Sequence, residues 1–459
     1  MPVNSFDDYP MSWKPTLTRG PRPLYQELAE LLEADIQAGV LLPGTRLPPQ
    51  RELADFLDIN VSTVSRAFRL CTQKGLLSGT VGSGTYVAYD ALASLSLLPH
   101  PDKPALVELG SLFPDDASYR EVSQILREVA AEEGVSRLFG YGSMEATLWQ
   151  REAAAKFIEK AGYHTTADRI LTSNGGQNAI AAILAGLFSP GDRIGTDPLT
   201  YPGIKSAARM LGVKLVPVRQ EGGEISPEGL LFACRHDRIK GLYLMPDFQN
   251  PTAHTMSLEN RRAIARIAKE QDLLVIEDSI HTLLYQNPPP AVASFAPDQT
   301  IYIASLSKTI SPGLRLSYLV TPDRCRATLE DALYNINLTV SPLLLELASR
   351  IMASDKAMML LATHRALAKE RNAVADELLK GFDLQGPKES LFRWLVLPPG
   401  WTGQRFEHTA LLSGIQVYGS HRFAVGCEPP AAVRLAVSSP VDNRQLREGL
   451  LRLRALLET

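Results

Sequence analysis

Between Ile170 and Ala304 short apolar runs alternate with longer segments of helical periodicity, and few architectures accept that pattern. Ile170-Leu171-Thr172, Lys214 to Val218, Gly241 to Met245, Leu273 to Ile276 and Ile301-Tyr302-Ile303-Ala304 read as strands, while Gln177 to Phe188 and Leu258 to Glu270 read as helices. A run such as Leu273 to Ile276, continuously apolar, suits a strand covered on both faces. The alternation predicts an α/β domain with a large, mostly parallel sheet and helices on both sides. From about Leu391 the pattern changes to short strands, Phe392 to Leu397 and Val433 to Val437, followed by a helix over Asn443 to Leu457. A smaller α+β lobe is expected there, starting somewhere between residues 340 and 390.

The chain has 459 residues, more than the roughly 100–200 of a single domain. Its first part has another character. Leu24 to Ile36 repeats leucine at helical spacing until Pro43-Gly44, Pro49 to Leu57 reads as a short helix, and Asn60 stands as N-cap of a helix that stops at Gly75. Two short extended runs about a glycine-rich turn follow in Leu76 to Ala88, a hairpin signal. Helix, turn, helix and hairpin together predict a winged helix over residues 1–90. Residues 91–105, rich in proline and small residues, read as a linker, and residues 106–459 as the second domain.

Charge and cysteine usage exclude several classes. No apolar run approaches the ~18–20 residues that span a bilayer, and the first residues carry acids and prolines where a secretory signal needs a basic start. Cys71, Cys234, Cys325 and Cys427 lie far apart without a C-x-x-C, which suits a reducing cytoplasm and argues against a zinc site or a disulfide framework. No metal site is expected. The net charge of −3 hides local contrast. Residues 60–74 contain no acid, place Ser62 and Thr63 in the first helical turn, and follow with Arg66, Arg69 and Lys74. Small hydroxyls and arginines on one face are what a helix needs to approach phosphates and base edges, although a solvated basic face is the commoner meaning of such a pattern.

The whole run from Pro23 to Val87 resembles the winged-helix domain of the GntR superfamily. That resemblance implies double-stranded DNA as partner, with Arg51, Ser62, Thr63 and Arg66 reaching it and the wing at Gly82-Ser83-Gly84-Thr85 near the minor groove. Val61 stands where the family commonly has arginine, so one contact of the family is missing.

In the second domain, Lys308 lies in Ser305-Leu306-Ser307-Lys308, directly after an apolar run and seven residues before Arg315. A lysine amine becomes a nucleophile when a dry pocket or a neighbouring cation favours its neutral form, and its best-known use is a Schiff base with an aldehyde cofactor. Pyridoxal 5′-phosphate further demands an anion site, a carboxylate at its pyridine nitrogen, a donor to its phenolic oxygen and a stacking partner. Gly176 and Gln177, opening a helix after a strand, offer backbone N–H groups to a phosphate. Ser305, Ser307 and Arg315 add hydroxyls and charge. Asp278 ends the strand-like Leu273 to Asp278, where ligands bind in open α/β sheets; Asn250 precedes Pro251, and Tyr201 follows a strand end. Each residue alone has a commoner structural explanation, as loop cap, turn, packing ring or surface lysine.

Their order, with Tyr141-Gly142 ahead, resembles the fold-type-I aminotransferases over roughly residues 106–459, most closely the branch of the aminoadipate-type enzymes. The resemblance implies an aldimine on Lys308, phosphate contacts from Ser305, Ser307, Arg315, Gly176 and Gln177, Asp278 at the pyridine nitrogen, Asn250 as donor to the phenolic oxygen, and Tyr201 stacked on the ring. It further implies a Tyr141 that reaches a phosphate across a dimer interface, and an Arg434 that grips the α-carboxylate of an amino acid; a salt bridge to the terminal helix is the other reading of Arg434. Ile280 and His281 stand where the family has a tyrosine, with His281 able to act as donor in its place. A GntR-type winged helix joined to such a domain resembles the MocR-type transcriptional regulators along nearly the entire chain. A cytoplasmic, head-to-tail homodimer is then expected, sensing pyridoxal phosphate or an amino compound through the Lys308 aldimine and regulating transcription rather than serving as an enzyme. The alternatives are a working aminotransferase with an incidental winged helix, and a DNA-binding module on an inert scaffold.

Overall fold

The computed structural model describes residues 11–18, 22–38, 40–42, 44–80, 84–88, 106–113, 117–143 and 145–458. Contacts divide the chain into two compact units, residues 1–95 with 426–429 and residues 96–425 with 430–459. The expected linker at 91–105, and Gly82 and Ser83 of the expected wing, lie outside the described residues.

In the first unit, leucine spacing becomes a core. Helix Leu24–Gln37 buries Leu28, Leu32 and Ile36 on one stripe against Val64, Phe68 and Cys71 of helix Val61–Gln73. Helix Gln50–Leu57 ends at Asp58 in the left-handed region (φ +49°), and the Asn60 side chain then caps the next helix by accepting the Ser62 N–H at 2.8 Å. Strands Leu77–Thr80 and Gly84–Val87 pair antiparallel, Leu77 opposite Val87. Trp13, which no pattern marked, is 4 % exposed in this core and donates its indole N–H to Asp35 at 2.7 Å.

The second unit is built on a seven-stranded sheet in the order Ile170–Ser173, Ser317–Val320, Thr300–Ser305, Leu274–Asp278, Gly241–Leu244, Arg193–Thr196 and Lys214–Pro217. Five strands, from Thr300–Ser305 to Lys214–Pro217, are mutually parallel, while Ser317–Val320 runs antiparallel to both its neighbours. That reversal has a chemical consequence: the amino end of Ser317–Val320 lies beside the carboxyl ends of the rest. Ser317 sits opposite both Ser305 and Ser173. Arg315, Ser305 and the turn after Ser173 are therefore delivered to one edge, the edge where Asp278 ends its strand. Leu274–Asp278 is buried at every position, as the apolar run Leu273 to Ile276 predicts for its first three residues, and the burial extends to Glu277 and Asp278.

The smaller lobe is a four-stranded antiparallel sheet, Leu384–Gln385, Arg393–Val396, Ala432–Leu435 and Tyr418–Gly419, covered by helix Asn443–Leu457 through Leu446, Leu450 and Leu453. Val107–Glu108 pairs in parallel with Ile415–Gln416 and buries Val107 and Leu109 in the same core.

Beneath the loops of the large sheet lies a buried ion pair. Arg261, fully buried on helix Leu258–Glu270, donates to Asp247 at 2.6 Å and to the carbonyls of Pro246, Met256 and Pro290. The Thr282 hydroxyl donates to the second Asp247 oxygen at 2.7 Å. This network ties together the loops that carry Asn250 and His281. Removing one partner strands the other charge in the interior, so Arg261→Ala is expected to destabilise the second unit by about 3–5 kcal/mol. Urea unfolding followed by tryptophan fluorescence measures it; three of the four tryptophans, Trp149, Trp394 and Trp401, lie in that unit.

Candidate functional site

A cavity of about 640 Å³ opens at the carboxyl edge of the large sheet, and its walls include Gly176, Gln177, Tyr201, Asn250, Asp278, His281, Ser305, Ser307, Lys308, Arg315 and Arg434. All eleven were singled out from the sequence. Tyr141 was as well, but it is 92 % exposed and does not line the cavity of its own chain.

At one end, helix Gly176–Leu187 begins after Gly175, whose φ of +88° favours glycine. Space requires glycine as well: a Cβ there would lie 2.8 Å from Arg315 Nη2. The guanidinium thus lies against the helix amino terminus, where backbone N–H groups and a fixed cation converge on one place suited to an anion. Arg315 itself sits in the left-handed region at φ +47°, after the turn Pro312–Leu314.

In the middle, Asp278 accepts the Tyr243 hydroxyl at 2.8 Å through Oδ2, while its buried Oδ1 finds no well-formed hydrogen bond, the Ile280 N–H being the backbone donor nearest the carboxylate. Burial pushes the Asp278 carboxyl up to about 6, so a cationic N–H donor in the cavity would both satisfy Oδ1 and restore the ionised form. Lys308 is partly buried and donates to the Leu112 carbonyl. Burial first, then the charges of Arg434 and Arg315, bring its amine down to about 8, within reach of the neutral, nucleophilic form. His281 is 2 % exposed, its ring nitrogens find no well-formed hydrogen bond, and burial together with Lys308 and Arg434 holds it down at about 3. It is a neutral imidazole with one N–H to donate.

At the far end Arg434 is 2 % exposed. Nη1 donates to Asn250 Oδ1 at 2.7 Å, Nη2 donates to the Gly110 carbonyl, and Nε has no partner. The rings of Phe392, Tyr418 and Phe423 surround it at 5.1–5.6 Å. Among the described residues no carboxylate lies within ion-pair distance, so the salt bridge to the terminal helix is not formed. Burial lowers this guanidinium to about 10.

Several wall residues escaped the sequence reading. Leu112 and Phe113 belong to a segment without a motif, and Ile180 and Met245 are ordinary apolar choices; Tyr243, the partner of Asp278 behind the wall, is hidden in a strand. The strand-end position of Met245 is the one available signal.

The first unit presents its own face. Ser62 and Val61 are exposed on the first turn of helix Val61–Gln73, Arg51, Arg66 and Arg69 are exposed, and Arg66 lies 5.9 Å over the Tyr25 ring. Thr63 is half-buried. Lys74 is held by Glu33 at 2.6 Å, so it is not a free cation of that face. Arg46 adds one that the sequence reading passed over: its Nε lies 3.0 Å from where a Gly84 Cβ would stand, placing a cation against the hairpin. Gly84 is at φ +108°.

Residues 105–453 match the model of aminotransferase class I and II, and residues 24–87 match that of bacterial regulatory proteins of the gntR family. The chain is 50 % identical to YdeF of Bacillus subtilis, described as an uncharacterized HTH-type transcriptional regulator, over 100 % of this chain and 99 % of the relative. It is 25 % identical to the probable rhizopine catabolism regulatory protein MocR of Rhizobium meliloti, over 65 % of this chain and 66 % of that one. Among solved structures, an archaeal alanine:glyoxylate aminotransferase superposes with a TM-score of 0.71 at 22 % identity, over 77 % of this chain and 91 % of its own, which establishes the fold.

The cavity fits pyridoxal phosphate, the cofactor of this class of domain: an anion cradle at Gly176 and Arg315, a carboxylate oxygen of Asp278 without a well-formed hydrogen bond, and a lysine amine between them. Because only the neutral amine condenses with an aldehyde, uptake of the cofactor is expected to quicken as pH rises through about 8 and to level off above it. Arg434→Gln removes a neighbouring cation, raises the lysine and moves the profile to higher pH. Stopped-flow absorbance of the bound cofactor measures both; an inflexion at the ordinary lysine value of 10.5 in each protein would contradict the assignment.

Proposed function

This chain belongs to the MocR-type transcriptional regulators, a gntR-family DNA-binding domain joined to an aminotransferase class I and II domain, and from that premise we propose that its cofactor cavity is a sensor. It is a DNA-binding regulator whose second domain takes pyridoxal 5′-phosphate. Bound pyridoxal phosphate supplies an aldehyde that condenses with a primary amine, either Lys308 Nζ or that of an incoming amino compound. The chain's own residues divide the remaining work. Arg315, Ser305, Ser307 and the N–H groups of Gly176 and Gln177 would hold the phosphate, Asp278 would serve the pyridine nitrogen, Asn250 and His281 would donate to the phenolic oxygen, and Tyr201 would stack on the ring.

The single observation that carries the reading is Arg434, a buried guanidinium without a carboxylate partner among the described residues, in one cavity with Lys308. A group held that way is suited to the carboxylate of a ligand whose amine reaches the cofactor. A ligand held by Arg434 and by its amine would alter the cavity, and DNA binding would respond to the extent that the two states differ in ligand affinity.

The assembly belongs to the same proposal. Phe139, Tyr141 and Leu148 are 74 %, 92 % and 59 % exposed, an apolar surface that supports a homodimer, head-to-tail, in which Tyr141 serves the partner's phosphate site. Cys71, Cys234 and Cys325 are free thiols, which accords with a cytoplasmic setting, and no helix of the described residues is long and apolar enough to cross a membrane. A catalytic aminotransferase is the second reading, favoured by the lowered Lys308 amine; sustained keto-acid production from amino acids would identify it.

Two measurements test the proposal. Lys308→Ala is expected to fold, to lose the cofactor's absorbance and to abolish the response of DNA binding to amino compounds, measured on fragments selected from a random pool by the wild-type protein; an unchanged response would sink the sensing reading. Arg66→Ala is expected to weaken DNA binding and, if it meets a phosphate, to reduce the salt-dependence slope by about 1.

A further inference from the structure

Residues 107–113 run as a strap from the small lobe to the cavity. Val107–Glu108 pairs with Ile415–Gln416, and the Glu108 carboxylate turns back to accept the Gly110 and Ser111 N–H groups at 2.7 Å each. Beyond this turn two backbone carbonyls meet cations of the cavity: Gly110 O accepts from Arg434 Nη2, and Leu112 O accepts from Lys308 Nζ. Two serines pin the strap from elsewhere. Ser439 Oγ accepts the Phe113 N–H at 3.1 Å and donates to the Ser111 carbonyl at 2.5 Å, and Ser438 Oγ donates to the Phe113 carbonyl at 2.5 Å. No side chain fits on Gly110, where a Cβ would stand 2.8 Å from the Tyr418 ring.

The strap therefore holds the guanidinium that a ligand carboxylate would claim. Both two-nitrogen edges of a guanidinium include Nη2, and in Arg434 that nitrogen already donates to the Gly110 carbonyl while Nε has no partner. Asn250 has a side-chain oxygen that can swing away, whereas the Gly110 carbonyl can leave only if its backbone moves. An ionised acceptor outcompetes a neutral carbonyl for a guanidinium N–H. Building on the proposed role of the cavity, we infer that a ligand carboxylate displaces the Gly110 carbonyl from Arg434 and so releases the strap, which residues 91–105 join in sequence to the DNA-binding unit. Ligand and strap compete for one guanidinium edge. By reciprocity, whatever pins the strap weakens carboxylate binding, and whatever loosens it strengthens binding.

Hydrogen–deuterium exchange on the full-length, cofactor-loaded protein tests this with three probes: propionate, which has a carboxylate and no amine; propylamine, the reverse; and L-alanine, which has both. Propionate and alanine are expected to raise exchange in peptides covering residues 107–113, and propylamine to leave it unchanged. Ser439→Ala removes two pins without altering charge, so the midpoints for propionate and alanine are expected to fall roughly 5- to 100-fold, the worth of two net hydrogen bonds, while the midpoint of the absorbance change with propylamine stays put. Exchange unmoved by propionate and alanine, or raised equally by propylamine, overturns the strap. A strap loosened by propionate beside a cofactor absorbance that no amine alters upholds this inference and removes the sensing reading instead.

Discussion

A guanidinium 2 % exposed with no carboxylate among its described partners is the constraint around which the second unit is arranged. A buried ion is costly unless other groups replace its hydration, and Arg434 finds partial replacement in an amide oxygen, a backbone carbonyl and three aromatic faces. None of these cancels the charge. Its field instead reaches Lys308 and His281, and with burial it keeps the first available as a neutral amine and the second uncharged. Asp278, at the other side of the cavity, has the opposite problem, a carboxylate oxygen without a well-formed hydrogen bond. A ligand that brings an anion to one and a cationic donor to the other completes both at once.

That arrangement depends on the one reversed strand. With Ser317–Val320 antiparallel to its neighbours, the Ser311 to Arg315 turn enters the sheet at the edge where the parallel strands end. Arg315 then meets the amino terminus of helix Gly176–Leu187, and the absence of a side chain on Gly175 lets the two close to contact. The buried Arg261–Asp247 pair does a comparable task from below, fixing loops rather than touching a ligand.

How much of this the sequence announces follows from which atoms do the work. Lys308, Asp278 and Arg434 act through side chains whose type limits their chemistry, and each stands at a strand end or in a recognisable run. The winged helix was legible for a similar reason, since Asn60 caps and Leu28, Leu32 and Ile36 repeat at the spacing a helix demands. Gly110 and Leu112 act through carbonyls, which every residue has, so nothing in Leu109 to Phe113 marks a site. Lys74 misleads in the opposite way: its type suited a DNA face, but Glu33, 41 positions earlier, claims it, and only the packing of two helices reveals that. Trp13 joins the core through a contact with Asp35 that has no periodicity to betray it.

The backbone character of the strap also explains why such a device tolerates sequence change. A side-chain latch is lost with one substitution, whereas carbonyls persist under any replacement that keeps the path of the chain. What must be kept is space, and Gly110 is where space is least, against the Tyr418 ring. Tyr418 in turn shares a hydrogen bond with Ser111 at 2.9 Å and lies under the Arg422 guanidinium, which is paired with the buried Glu407. The strap is thus gripped on its Arg434 side by a bond that a ligand can exchange and on its Tyr418 side by a packed lobe that it cannot. Among the strap's contacts the Arg434 bond is the one that a ligand carboxylate can exchange, while Ser438, Ser439 and the Tyr418 lobe hold the rest, and a coupling element requires such a contact that one state makes and the other does not.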